Sequence, residues 1–292
     1  MKLVTFEVDG RTRAGRLEGE AIVELGASVK EILASGALDR ARQATGARHA
    51  PKAVKLLAPI PDPGVVLSVG MNYHEHLKEM KTPVPEKPAA ITKSVASIIA
   101  SGQPILLPAS NPDMVDWEGE FTVVIGKGGY RIPAAQALNH VAGYTIVNDV
   151  SARDWVAPIF QSSGIMGPIH AWEHNLLGKM FPTFCPMGPC IATKDEVPDP
   201  DDVRIVTRLN GQVMQDANTR LMIHDVFEQV AYGSNILPLI AGDVIATGSP
   251  AGVGSARNPP IFLKNGDRMS CTYEGVGTLN NPVVGPPVAA TR

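Results

Sequence analysis

A strand-rich α+β fold is what this 292-residue sequence predicts, on three observations. It holds 28 Gly and 25 Pro, punctuation enough for many turns and long shaped loops. It carries two hairpin signatures, Asp9-Gly10 and Asn210-Gly211, each between segments of strand character. Residues 115–126 also alternate. Trp117, Gly119, Phe121, Val123 and Ile125 fall on one side of an extended strand, and Asp116, Glu118, Glu120 and Thr122 on the other.

The first element is a small α/β module over residues 1–60, with strands expected at 2–8, 11–17 and 21–25 and a helix over 29–45 weakened at Gly36. The proline-rich run Ala58-Pro59-Ile60-Pro61-Asp62-Pro63-Gly64 divides it from a main domain over 61–292. There a buried-type strand at 65–69 precedes a short helix over 74–80 that stops before Pro83. Another apolar strand is expected at 139–150 and a helix over 222–237. Gly242 to Gly254 reads as a strand running into a Gly-rich loop. Residues 155–177, with two Gly, two Pro, two Trp, His170 and His174, have no clean period and read as a long irregular loop.

Composition narrows the function classes. A formal net charge of −3 and a pI near 6.2 give no electrostatic reason to expect nucleic acid or an anionic membrane. No apolar run reaches the roughly 20 residues that span a bilayer, and the N-terminus lacks a signal-peptide profile. Cys185, Cys190 and Cys271, an odd count without CxxC spacing, indicate reduced thiols in a cytoplasmic setting.

Three places carry candidate chemistry. Glu118 and Glu120 put two like charges on one strand face, which is unfavourable without a cation between them. All-oxygen ligation favours a hard ion: Mg²⁺, Mn²⁺ or Ca²⁺. A solvated strand edge accounts for the same stretch equally well. Asp149, closing an apolar strand, can present a third oxygen or simply cap a helix. His76 and Glu79 are i, i+3 neighbours on the short helix, so the carboxylate can orient the imidazole, although an incidental surface pair has the same spacing. The Gly-rich loop exposes backbone N–H groups; lacking Gly-Lys-Ser/Thr, it suits a carboxylate better than a nucleotide, and a plain turn is the alternative. Glu18-Gly19-Glu20 repeats the acidic tripeptide between strands, where an exposed turn is expected.

Taken together, several segments resemble the fumarylacetoacetate hydrolase family. They are Val69-Gly70-Met71-Asn72-Tyr73, Asp116-Trp117-Glu118-Gly119-Glu120, Gly143-Tyr144, Asn148-Asp149-Val150-Ser151-Ala152-Arg153-Asp154, Gly178-Lys179, Pro186-Met187-Gly188-Pro189 and Thr247-Gly248-Ser249-Pro250-Ala251-Gly252-Val253-Gly254. The resemblance implies a mixed β-roll C-terminal domain and a homodimer. It also implies a divalent metal, Mg²⁺ or Mn²⁺ with Ca²⁺ able to substitute, held by Glu118, Glu120 and Asp149. Lys179 matches the family's active-site lysine, and His76 with Glu79 matches a His–Glu pair on a lid. Tyr73, Lys93, Thr247 and Gly248 fall where relatives contact substrate. Val156 stands where relatives commonly carry Gln, and 155–177 is longer than in many of them, which bears on substrate identity.

The implied activity is hydrolysis of a C–C bond in an acylpyruvate-type 1,3-diketo acid, of the kind met in aromatic catabolism, through a metal-stabilised enolate. The same enolate serves an oxo-acid decarboxylase or an isomerase. A non-catalytic metal-binding scaffold is the reading from another class.

Overall fold

Both hairpin signals close as turns of the type that matches strand twist. Asp9 and Gly10 have φ of 50° and 68°, and Asn210 and Gly211 have 53° and 84°, left-handed in each pair. They join Lys2–Val8 to Arg11–Glu18, and Arg204–Leu209 to Gln212–Asn218. The computed structural model describes residues 1–156, 164 and 166–286. The fold is α+β and predominantly β.

Two large sheets and a two-stranded pair, Val115–Asp116 with Ser151–Ala152, build it. The larger has 12 strands, and its central order is Lys2–Val8, Cys185–Thr193, Val141–Asn148, Gly119–Ile125, Val244–Ala246, Val66–Gly70 and Ala89–Lys93. Val244–Ala246 runs parallel to Val66–Gly70; the other neighbours in that order are antiparallel. Because Leu3 pairs with Ile191, the strands of residues 1–60 extend the same sheet as the strands that follow. The smaller sheet orders Gln212–Asn218, Arg204–Leu209, Arg268–Tyr273, Gly277–Val284 and Ile105–Leu106. Phe121, Val123 and Ile146 of the first sheet meet Ile205, Cys271 and Leu279 of the second, all at most 1% exposed. This apolar layer holds the sheets together.

Three segments depart from the sequence reading. The helix expected over 29–45 is two helices, Val29–Ala34 and Leu38–Gln43, because Gly36 adopts φ 65° and ends the first. The helix expected from 222 starts later, as Val226–Ile236, where the Asp225 side chain caps the Glu228 N–H. The expected irregular loop is helical where described, as Arg153–Val156 and Met166–Leu177; residues 157–163 and 165 lie outside the described residues. No helix among the described residues is long and apolar enough to cross a membrane.

Cys185, Cys190 and Cys271 are free and buried, and burial pushes each thiol up to about 12. A thiol-specific reagent at pH 8 is therefore expected to label none of the three in the native protein and all three in guanidinium. Rapid labelling of the folded chain would contradict this packing.

Candidate metal centre

Strand register alone brings three carboxylates together. Gly119 lies opposite Asn148 in the antiparallel pair, and the ladder continues one step as Asp149 N–H donates to Glu118 O at 2.8 Å. Glu118 and Asp149 thus stand opposite each other, with Glu120 two residues along on the same face. One oxygen from each lies within 4.8 Å of the others, and all three residues are buried. That burial excludes the solvated strand edge. No helix begins at Asp149 either, since Ser151–Ala152 is a short strand paired with Val115–Asp116.

The alternation over 115–126 holds in a different form. The stretch breaks at Trp117-Glu118 into Val115–Asp116 and Gly119–Ile125, and both faces are covered. Phe121, Val123 and Ile125 enter the core between the sheets, whereas Val124 packs with Val66 and Ala246 on the other side. Gly119 is glycine because the second sheet presses on it. A Cβ there would meet Thr207 Oγ1 at 2.2 Å and Tyr273 OH at 2.7 Å, both on buried strands. Gly119→Ala is expected to cost about 1–3 kcal/mol or more through overpacking. It should also push Glu118 and Glu120 out of register, lowering both Tm and divalent-cation affinity. An alanine variant with wild-type values for both would show that this contact is soft.

Buried cations surround two of the three acids. Asp149 accepts from Lys93 Nζ at 2.5 Å, Lys179 Nζ at 2.8 Å and Ser68 Oγ at 2.6 Å. Glu118 accepts from Lys179 Nζ at 2.5 Å and from the Arg153 guanidinium. Burial pushes Glu118 upward, but the Lys179 and Arg153 charges outweigh it and hold the carboxyl down at about 2. Burial likewise opposes Asp149, and Lys179 and Lys93 bring it below the usual carboxylate range. Glu120 differs. The one hydrogen bond its carboxylate accepts among the described residues is from Gly248 N–H at 3.2 Å. Burial first, then the Asp149 and Glu118 charges, raise it well above the ordinary carboxylate value.

A hard divalent cation suits this donor set. The three acids are all-oxygen ligands, and Glu120 is a buried carboxylate that no protein cation touches among the described residues. Each oxygen of Glu118 accepts from one cation, and Asp149 Oδ1 from Lys93 alone, so lone pairs remain on both carboxylates.

His76 sits beside this cluster. It is 8% exposed while His74 is exposed, so the two point apart, and His76 Nδ1 lies 2.7 Å from Glu79 Oε1. Nε2 is the nitrogen left to meet a substrate. Glu79 in turn accepts from Gly252 N–H at 3.0 Å. The Gly-rich loop therefore does hold carboxylates, but they belong to the chain itself. Gly248 N–H donates to Glu120, Gly252 N–H to Glu79, and Gly254 and Ser255 N–H to Asp116 at 2.7 and 3.1 Å. Gly252 has φ 106°, and a Cβ would strike Met214 O at 2.1 Å, so only glycine serves there.

The cluster forms the floor of a cavity of about 530 Å³. Glu118, Glu120, Asp149, Lys179, His76 and Arg153 line its polar end. Of the four residues expected at the substrate, none is among those lining this cavity. Tyr73 is 2% exposed and packs in the inter-sheet core; Lys93 reaches Asp149 from behind. Thr247 Oγ1 donates to Phe121 O at 2.7 Å, and Gly248 is engaged with Glu120. They build the frame. Glu18, of the second acidic tripeptide, pairs with Arg16 and Arg48 at the surface, far in role from the cluster.

Three participants were not singled out from sequence. Asp116, fully buried, receives Arg153 Nε at 3.0 Å and so aims that guanidinium at Glu118. Its place on the polar side of the alternating stretch was the available signal. Ser68 and Arg153 complete the set; Arg153 stands in a segment that carries the family resemblance, and Ser68 in none.

Comparison with known proteins agrees with this geometry. Residues 65–284 match the model of the fumarylacetoacetate (FAA) hydrolase C-terminal family, and residues 1–59 match an Rv2993c-like N-terminal family. The mitochondrial oxaloacetate tautomerase FAHD2A of Bos taurus is 45% identical over 231 residues, covering 79% of this chain and 70% of that protein. Among solved structures, a fumarylacetoacetate hydrolase from Exiguobacterium antarcticum superposes with TM-score 0.81 at 38% identity, covering 98% of this chain and 100% of that one. A maleylpyruvate hydrolase from Sphingobium sp. SYK-6, in complex with manganese(II) and pyruvate, gives TM-score 0.78 at 26% identity over 98% and 99%. With a family match over most of its length, a relative at 45% identity and the acidic triad in place, the chain belongs to the fumarylacetoacetate hydrolase family of enzymes.

Proposed function

We propose that this chain is a divalent-cation-dependent enzyme that interconverts the keto and enol forms of a 2-oxo acid of the oxaloacetate type. The observation that carries the reading is the placement of three converging carboxylates, Lys179 and a Glu79-supported imidazole in one cavity. The oxaloacetate tautomerase name of the 45%-identical relative supports the choice among the reactions such a site can run.

A divalent cation held by Glu118, Glu120 and Asp149 supplies the positive charge that draws a 2-oxo carboxylate and stabilises negative charge developing at the C2 oxygen. Lys179 has three N–H donors and spends two on Glu118 and Asp149, so the third is free to reach that same oxygen. His76 Nε2 takes the proton from C3. The C3–H electron pair becomes the C2–C3 double bond as the carbonyl π pair moves to the C2 oxygen; that oxygen takes a proton from water, the His76 imidazolium returns its proton to water, and the sum is an isomerisation with no net co-reactant. Glu79 fixes the ring with Nδ1–H inward and stabilises the imidazolium.

The test is direct. Enol-oxaloacetate is added to the protein with Mn²⁺ or Mg²⁺, and the decay of its ultraviolet band is followed. Acceleration that EDTA abolishes is expected; decay at the uncatalysed rate under saturating metal would refute the reading. His76→Ala is expected to lower the rate by about 10²–10⁴-fold, with Mn²⁺ affinity by calorimetry changed far less. An unchanged rate removes His76 as the base.

A second reading, C–C hydrolysis of an acylpyruvate, is favoured by the His76–Glu79 pair, which can equally take a proton from water, and by the likeness to the maleylpyruvate hydrolase. Release of pyruvate from acetylpyruvate, with no effect on enol-oxaloacetate, would decide for it.

A further inference from the structure

The upper part of the cavity differs in kind from its floor. The helix Met166–Leu177 turns Pro168, Ala171, Trp172 and Asn175 into it, the i, i+3, i+4, i+7 spacing of one helix face. Opposite stand Leu77 and Met80 of the His74–Met80 helix, with Ile91 beside them. Trp172 and Met80 line it too and are 49% and 44% exposed, large apolar side chains left half open among the described residues.

The cationic residues lining the cavity among those described are His76, Arg153 and Lys179, and all three already have carboxylate partners: Glu79, Asp116 with Glu118, and Glu118 with Asp149. A carboxylate directly on C3, as in oxaloacetate, stays near the Lys179 and Arg153 end, whereas one carried further, to the level of Trp172 and Met80, would meet no cationic lining residue among those described, which is costly. The volume of about 530 Å³ is that of a pocket for a drug-sized ligand, well beyond a four-carbon acid.

We infer that this site also takes 2-oxo acids whose C3 carries an apolar group, alkyl or aryl, and that Trp172 is a specificity-determining residue that covers that group. The inference rests on the 2-oxo acid reading above and adds the class of tail.

Calorimetry on the Mn²⁺-loaded protein tests it, with pyruvate, 2-oxoglutarate, 4-methyl-2-oxopentanoate and phenylpyruvate as probes. Affinity is expected to rise from pyruvate through 4-methyl-2-oxopentanoate to phenylpyruvate, by about tenfold or more in total from the apolar area covered, with 2-oxoglutarate below phenylpyruvate. Heat-capacity change should grow more negative along the same series. Trp172→Ala is expected to weaken phenylpyruvate at least about fivefold more than pyruvate, and Met80→Ser, on the facing helix, should shift the same ratio in the same direction. Phenylpyruvate binding no tighter than pyruvate, 2-oxoglutarate binding tighter than both, or an unmoved ratio in both variants would overturn the inference. If the affinity series is as expected while enol-oxaloacetate is untouched, the tautomerase reading fails and the tail assignment stands.

Discussion

Glu120→Gln is expected to remove divalent-cation binding and turnover while leaving the fold as stable as before, or more so. Glutamine keeps the shape and can still accept from Gly248 N–H, so the frame loses nothing. What disappears is a buried carboxyl whose ionisation is opposed by burial and by the Asp149 and Glu118 charges, more than the Lys179 charge offsets, and that no protein cation hydrogen-bonds among the described residues. Removing it relieves an unfavourable interaction in the metal-free protein. The same loss should be severe for the cation, because Glu120 is the acid of the three whose lone pairs are least committed to the chain. Mn²⁺ affinity should fall by more than the roughly 10–100-fold that an outer-shell partner costs. Calorimetry with Mn²⁺ and a thermal melt in EDTA check the two halves together. Retained affinity would take Glu120 out of the ligand set. A melt several degrees lower would mean that its charge stabilises the apo fold.

The contrast between legible and illegible parts follows from what each depends on. Turn residues with left-handed φ act locally, so Asp9-Gly10 and Asn210-Gly211 announced their hairpins. The acidic stretch was readable as a strand with candidate ligands because its alternation survives in the packing of Phe121 and Val123 on one side and Val124 on the other. That its polar side is buried was not readable, since burial is decided by Lys93, Lys179 and Arg153 arriving from three other segments. The same holds for the Gly-rich loop. Its amides were recognisable as carboxylate holders, but only the fold shows that Glu79, Asp116 and Glu120 are the carboxylates. Residues 166–177 hid their helix for a physical reason: the face turned to the cavity, Pro168, Ala171, Trp172 and Asn175, is not an apolar core stripe, and the exposed Ile169 blurs the period. The residues placed at the substrate by resemblance carry no such local mark, and in this chain Tyr73 packs in the core and Thr247 bonds the strand frame.

Asp149→Ala is expected to behave as the opposite of Glu120→Gln, although both acids belong to one cluster. Asp149 carries two buried ammonium groups: Lys93, 4% exposed, and Lys179, 7% exposed. Among the described residues, alanine leaves Lys93 with only the Lys179 backbone oxygen at 2.7 Å and leaves Lys179 with Glu118 alone. Breaking a buried pair by deleting one partner costs about 3–5 kcal/mol, since the other charge stays desolvated. For a domain of this size that is a fall in Tm of roughly 6–20 °C, large enough for much of the variant to be insoluble. The cation cannot compensate, because its own ligand is gone. Loss of activity in Asp149→Ala would therefore say little about the metal unless stability is measured beside it. Adding Lys93→Met removes the stranded charge and should recover part of the lost stability without recovering Mn²⁺ binding, a coupling that a double-mutant cycle of melts reads directly. If the single variant melts like the wild type, the Lys93–Asp149–Lys179 arrangement is not what stabilises this corner of the sheet. If the double variant is no better than the single, the unpaired ammonium is not the source of the loss.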